Sequence, residues 1–432
     1  MKLHYKLGLT AAAVAVVAIA LPVLAQGDRT AKPYIVVLND SVSADAVANE
    51  QAVANGFLPS HVYGHLIKGY AAHLNGKQLA AVKADPRVAF VSEDREVSVS
   101  KPPGSCEPWP ECKGGDPEDP TDPPPEPPPA PSQAVPTGVA RLGQPASGQT
   151  GAGVGVAIID TGIDLDHEDL NVIAQKNCLH PRKPADDDNG HGTHVAGTVA
   201  ALDNDRGVVG VAPGADLVAV KVLDRAGSGS WSSVICGLDW VAENASQYGI
   251  AVANMSLSGG GASDDNCGLS NGDALHQAIC RLRDAGVTTV VAAGNEATNA
   301  ANSVPAAYDD AVITVSALVD SDGLAGGLGA ATYYGADDTF ASFSNYGSPV
   351  DLAAPGVSIL STVPGGYDDS YSGTSMASPH VAGAAALYLA AHPGAGWSDV
   401  LAGLLAGAEP LGSGHADPSG LHPEPVVQAS GL

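Results

Sequence analysis

Beyond residue 131 the chain alternates short runs of Val, Ile and Ala with longer stretches of helical character, and this constrains the fold more than any other feature. The runs cover 154–159, 216–222, 252–256, 288–292 and 312–315; the helical stretches cover 191–201, 231–248, 273–285 and 374–391. A strand that is apolar at successive rather than alternate positions must be covered on both faces, as strands of parallel sheets are. The expected fold of 132–432 is therefore α/β, a doubly wound parallel sheet with helices on both faces. Sites in such folds form at the carboxyl ends of the strands. Asp160 ends one run, Ser256 ends a second and Asn295 follows a third.

Residues 34–100 carry a different pattern. Strands are expected at 34–38, 61–66, 70–74 and 88–91, with helices at 44–54 and 77–84. Strand, helix, strand, strand, helix, strand is the order of a small ferredoxin-like α+β domain, assigned here to 26–100. Between the two units, 13 of the 31 residues from 101 to 131 are proline and most others are polar or small. Such a segment cannot bury apolar surface and reads as an extended acidic linker, with Trp109 its one large apolar residue.

The first 25 residues contain Lys2 and Lys6, an apolar run from Leu7 to Leu21, and the small-residue pattern Val23-Leu24-Ala25. This is the form of a secretory signal peptide cut after Ala25, too short to span a bilayer comfortably. A secreted product with no membrane anchor is expected. Export makes the six cysteines readable as disulfides, and loop length favours Cys106 with Cys112, Cys178 with Cys236 and Cys267 with Cys280. No Cys-x-x-Cys spacing suggests a metal.

Of the formal charge of −27, residues 132–432 carry −23, with 3 Lys and 6 Arg against 32 acidic residues. Phosphate binding needs clustered cations, so nucleic acid is excluded as a partner. The acidity reads as a solubilising surface, and a monomer is expected.

The chemistry sits in three motifs: Ile158-Ile159-Asp160-Thr161-Gly162, Gly190-His191-Gly192-Thr193-His194, and Gly373-Thr374-Ser375-Met376-Ala377-Ser378-Pro379-His380. A serine hydroxyl is a poor nucleophile unless an imidazole takes its proton, and the imidazole needs an acid to fix its tautomer and orientation. Ser375 opens an alanine-rich helix, so a backbone N–H and the positive helix end face its hydroxyl. Aspartic proteases also use Asp-Thr-Gly, but they need two copies and only one is present. A zinc protease would need His-Glu-x-x-His, and Gly192 stands where the glutamate should be.

The order Asp, His, Ser and these motifs resemble the subtilases, and the likeness runs from about residue 132 to the C-terminus. Tyr34-Ile35-Val36-Val37-Leu38, Lys68-Gly69-Tyr70-Ala71-Ala72 and Asp85-Pro86-Arg87-Val88 are similar to the inhibitory propeptide of that family. The resemblance implies a subtilisin-like fold and a serine endopeptidase made as a self-processing zymogen, with Asp160, His191 and Ser375 as triad. It further implies Asn295 as second oxyanion donor and His194 in a structural role. Substrate would bind as an added strand along Ser256, Leu257, Ser258 and Gly259, with Ala292, Ala293 and Gly294 walling the pocket. Ser258 stands where glycine is common, and neither segment holds an acidic residue, so broad or apolar specificity is expected.

The same resemblance implies a Ca2+ site from Gln133, Asp169, Leu202, Asn204, Arg206 and Val208, and a second cation held by the carbonyls of Ala306 and Tyr308. Partners are then protein or peptide substrates and the chain's own propeptide, first cut near Ser100 and Lys101. Two other readings stay open: a processing protease with one narrow substrate, and an inactive binding protein on the same scaffold.

Overall fold

A computed structural model describes residues 30–99, 132–144 and 149–432. The expected signal peptide, the linker, Trp109 and the Cys106–Cys112 pair lie outside the described residues.

The first unit runs β1 (Lys32–Leu38), α1 (Ala44–Asn55), β2 (Pro59–Tyr63), β3 (Gly69–Leu74), α2 (Gly76–Lys83) and β4 (Val88–Glu93). Its four strands form an antiparallel sheet in the order β2-β3-β1-β4. The Ser43 side chain accepts from Ala46 N to start α1, and Gly56, at φ 70°, ends it in the left-handed conformation that glycine adopts without cost. Asn75 and Gln78 cap α2 reciprocally. Alternate residues of β1 face opposite ways: Val36 and Leu38 pack under the unit's own helices, whereas Ile35 and Val37 join the core of the second unit.

After β5 (Glu96–Ser98), the second unit begins with α3 (Thr137–Arg141), β6 (Gly155–Asp160), β7 (Val172–Asn177), α4 (His191–Ala200), β8 (Asp216–Lys221) and β9 (Ser228–Ser230). It continues through α5 (Trp231–Tyr248), β10 (Ile250–Met255), β11 (Gly259–Gly260), α6 (Ala274–Asp284), β12 (Thr288–Ala292) and β13 (Ser303–Val304). The last elements are β14 (Ile313–Leu318), β15 (Leu352–Pro355), β16 (Ile359–Val363), β17 (Gly366–Tyr371), α7 (Thr374–Ala391) and α8 (Trp397–Gly407). Seven strands pair in parallel in the order β15-β14-β12-β10-β6-β8-β7.

The sheet separates two cores. Val156 and Ile158 of β6 face Val195 of α4 and Val381 of α7. Ala157 and Ile159 face Val234 of α5 and Ile279 of α6. The five expected strands are all present. The two that sequence pattern did not disclose, β7 and β15, are the sheet edges. β7 alternates half-buried and exposed residues up to a buried Asn177, and β15 has four residues ending in Pro355, which an edge strand tolerates because one side of its ladder is unused. The Cys178–Cys236 and Cys267–Cys280 disulfides form as expected.

Candidate active site

Parallel order brings β12, β10 and β6 side by side, so residues at their carboxyl ends meet although they lie far apart in sequence. Asp160 is the last residue of β6 and His191 the first of α4; His191 Nδ1 lies 2.8 Å from Asp160 Oδ1, and both side chains are wholly buried. The close approach depends on two glycines. A Cβ on Gly192 would sit 2.1 Å from the Gly162 carbonyl, so α4 could not seat against the Asp160 turn with any larger residue there.

Asp187, which sequence reading missed, organises this junction. Its carboxylate accepts from Asn189 N at 3.0 Å, Gly190 N at 2.9 Å, Thr193 N at 2.9 Å and Thr161 Oγ1 at 2.9 Å. Lys221, at the end of β8, donates to the Thr161 carbonyl and reaches Asp188 at 2.5 Å. Burial drives His194 down to about 3 and keeps it neutral. It stacks on Tyr371 at 4.4 Å and donates from Nε2 to the Ile359 carbonyl at 2.8 Å, a packing role rather than a ligand's.

Ser375 lies in the first turn of α7, and Pro379 four residues on explains how it is tied down. Pro379 has no N–H, so it cannot donate to the Ser375 carbonyl as a helix requires. That carbonyl instead accepts from Ser256 Oγ at 2.8 Å, while Ser375 Oγ donates to the Ser256 carbonyl at 3.3 Å. Asn254 supports the pair, donating to Ser256 Oγ at 3.0 Å and accepting from Ser378 Oγ at 2.7 Å. Asn295 Oδ1 accepts from Thr374 N at 2.8 Å and Thr374 Oγ1 at 2.9 Å, which orients the amide. Its nitrogen end therefore faces Gly373, where a Cβ would come within 3.2 Å of it. Asn345, also missed, holds the loop after β12 by accepting from Glu296 N at 3.1 Å and donating to the Ala293 carbonyl at 3.0 Å.

The segment from Ser256 to Gly259 is occupied by the chain itself. Ser98 and Ser258 exchange two backbone hydrogen bonds of 3.0 Å each, and Val99 N donates to the Gly227 carbonyl at 2.9 Å. On its other side β5 pairs antiparallel with β9. Residues 96–99 thus form an added strand between two edges, with the Val97 and Val99 side chains buried. Behind them the first unit is clamped on α5. Asp239 accepts from His65 N at 2.9 Å and Leu66 N at 2.6 Å, and Asp94 accepts from Ser232 N at 2.9 Å at the start of α5. Arg95 covers the Trp231 ring at 4.7 Å.

The six residues expected to hold Ca2+ also come together. Gln133 Nε2 lies 2.7 Å from the Leu202 carbonyl and 3.4 Å from that of Val208, and Asn204 Nδ2 lies 2.9 Å from Asp169 Oδ1. Arg206 N donates to Asn204 Oδ1 at 3.1 Å. A half-turn of either amide exchanges nitrogen for oxygen, so the donor set suits a hard cation. The carbonyl of Ala306 accepts from Thr314 Oγ1 at 2.9 Å and that of Tyr308 from Ala311 N at 2.8 Å, which leaves each a second lone pair.

Comparison with known proteins agrees with this geometry. The model of the subtilase family matches residues 151–419, and that of peptidase inhibitor I9 matches 33–100. Subtilisin E of Bacillus subtilis (strain 168) is 37% identical over 373 residues, covering 84% of this chain and 82% of its own length. The alkaline protease of Shouchella clausii is 40% identical over 333 residues, 76% of this chain and 70% of that protein. Among solved structures, a cold adapted subtilisin-like serine proteinase superposes with a TM-score of 0.55 at 34% identity, covering 68% of this chain and 97% of its own. With the family's domain across most of its length and the family's inhibitor domain before it, the chain belongs to the subtilases and is a serine endopeptidase of the subtilisin type.

Proposed function

We propose that the chain is a secreted endopeptidase of broad or apolar specificity, made as a precursor that cuts itself, with Asp160, His191 and Ser375 as its triad. The observation that carries this reading is the strand at 96–99, laid antiparallel to Ser258 as a substrate would lie, on the segment whose Ser256 is hydrogen-bonded to Ser375. Backbone pairing of this kind gives affinity with little sequence preference. The apolar side chains it buries, Val97 and Val99, support the specificity. Two disulfides among the described residues fit an exported protein, and no described helix is long and apolar enough to cross a membrane.

In this reading His191 donates Nδ1–H to Asp160 and takes the Ser375 proton at Nε2 as Oγ attacks the scissile carbonyl carbon. The oxyanion accepts from the Ser375 N–H, at the positive end of α7, and from Asn295 Nδ2. Collapse breaks the C–N bond, the imidazolium returns its proton to the leaving amine, and water then hydrolyses the acyl-enzyme by the same route. The first bond cut lies near Ser100 and Lys101, just past Ser98. N-terminal sequencing of the active enzyme tests this: it should begin at Lys101 or at a later residue trimmed toward Ser132. A first residue within 34–90 would overturn both the processing site and the inhibitory role.

Ca2+ is the cation proposed for Gln133, Asp169, Leu202, Asn204, Arg206 and Val208. It would tie 132–134 to the 202–208 loop through oxygen ligands alone. A ligand that binds only the folded state stabilises by mass action, by about 2.7 kcal/mol at a hundredfold excess over its dissociation constant. Chelation should lower the temperature of thermal inactivation and speed autolysis, and Asp169→Ala should do the same without chelator. An inactivation rate indifferent to both would remove the site.

A further inference from the structure

We propose that Asp320, Asp322 and Asp337 form a second site for a divalent cation of the calcium type, separate from the Asp169 loop. The three residues stand at the two ends of one excursion of the chain, just past β14 and just before Phe340. Hydrogen bonds of 2.8 Å from Val319 N to the Thr339 carbonyl and from Asp338 N to the Val319 carbonyl close its base. One carboxylate oxygen from each aspartate lies within 4.8 Å of the other two. Ligands of a single calcium, each about 2.3–2.6 Å from the ion, are separated by no more than about 5 Å, so the gathering has the size of one coordination sphere.

The independent observation is the state of Asp320. It is 3% exposed, its Oδ1 accepts from Gly323 N at 3.0 Å, and its Oδ2 is buried with no hydrogen-bond partner. A buried carboxylate oxygen without a donor is costly, and a cation relieves that cost where a missing hydrogen bond does not. Asp337 is fixed beside it, accepting from Ser321 N at 2.8 Å and Gly329 N at 2.7 Å. Gly329 comes so near that a Cβ there would lie 2.8 Å from the Asp337 carboxyl carbon.

The neighbouring protein cation is already engaged. Arg141 binds Asp338 at 2.9 Å through Nε and Glu409 at 2.8 Å through its other arm, both ion pairs deep in the structure. Among the described residues no Lys or Arg forms an ion pair with Asp320, Asp322 or Asp337. Asp322 is exposed and opens the cluster to solvent, so an ion has a way in. Ser321 Oγ, 3.1 Å from Asp337 Oδ1, adds a neutral oxygen nearby.

Equilibrium dialysis against calcium, with the full precursor carrying Ser375→Ala to prevent autolysis, tests the site. Asp320→Asn, close in shape, should lower bound calcium by one ion per chain, and should do so again in an Asp169→Ala background, where the other site is already lost. Asp322→Asn, at an exposed position, should weaken the same binding step by about tenfold or more, since each carboxylate lost reduces calcium affinity. If Asp320→Asn fails to fold, Asp322→Asn decides alone. Unchanged stoichiometry in the first and unchanged affinity in the second would overturn the proposal, whatever Asp169→Ala does.

Discussion

Ser375→Ala is expected to lose about a million-fold in turnover, and His191→Ala about as much, while the double variant is little worse than either. The non-additivity follows from geometry. In the proposed triad His191, held by Asp160 at 2.8 Å, acts as base to Ser375, so without the serine its basicity serves nothing. On the proposed self-processing, Ser375→Ala should also accumulate uncut, with residues 26–100 still attached, and should resist labelling by a fluorophosphonate that marks the parent. Full peptidase activity in that variant would end the triad assignment. Labelling of the parent at Ser375 separates an enzyme from an inactive binding protein, and a cleavage profile on a mixed peptide library separates broad specificity from a dedicated processing protease.

Asn295→Ala should fold, bind substrate with little change in KM, and lose kcat by about 100- to 1000-fold, the usual cost of one oxyanion donor. The structure gives a reason to expect the loss in kcat alone. Asn295 Oδ1 is held by two donors from Thr374, so its nitrogen end is oriented before substrate arrives, and in the proposed role it would meet charge that develops only in the transition state. Thr374→Val makes a milder companion: it keeps the backbone donor to Asn295 and removes the hydroxyl one, so kcat should fall by a smaller factor. Equal losses of kcat and KM effects in Asn295→Ala would instead indicate a binding role.

The class of chemistry was legible in sequence because local motifs carry their own backbone requirements. Asp160 sits where a strand yields to a glycine turn, His191 stands one residue past Gly190 at the start of a helix, and Ser375 begins an alanine-rich helix with no charge in it. The expected central strands and the major helices followed from apolar runs, since a strand covered on both faces must be apolar throughout. Where a neighbour is missing that signal fades, which is why the edge strands β7 and β15 were not evident.

What tertiary structure decided are the contacts between segments with no shared local pattern. Asp187 and Asn345 look like ordinary turn residues in sequence, yet their side chains fix the His191 and Asn295 loops through bonds reaching across as many as 52 positions. The same is true of Pro379, whose missing N–H gains meaning only when Ser256 is found at the orphaned Ser375 carbonyl. Likewise, only the fold shows residues 96–99 paired between β9 and Ser258. Sequence determines which groups can do chemistry, because side-chain type and backbone preference are local. The fold decides which groups meet, because burial and hydrogen bonding are satisfied between strands and helices that the chain itself keeps far apart.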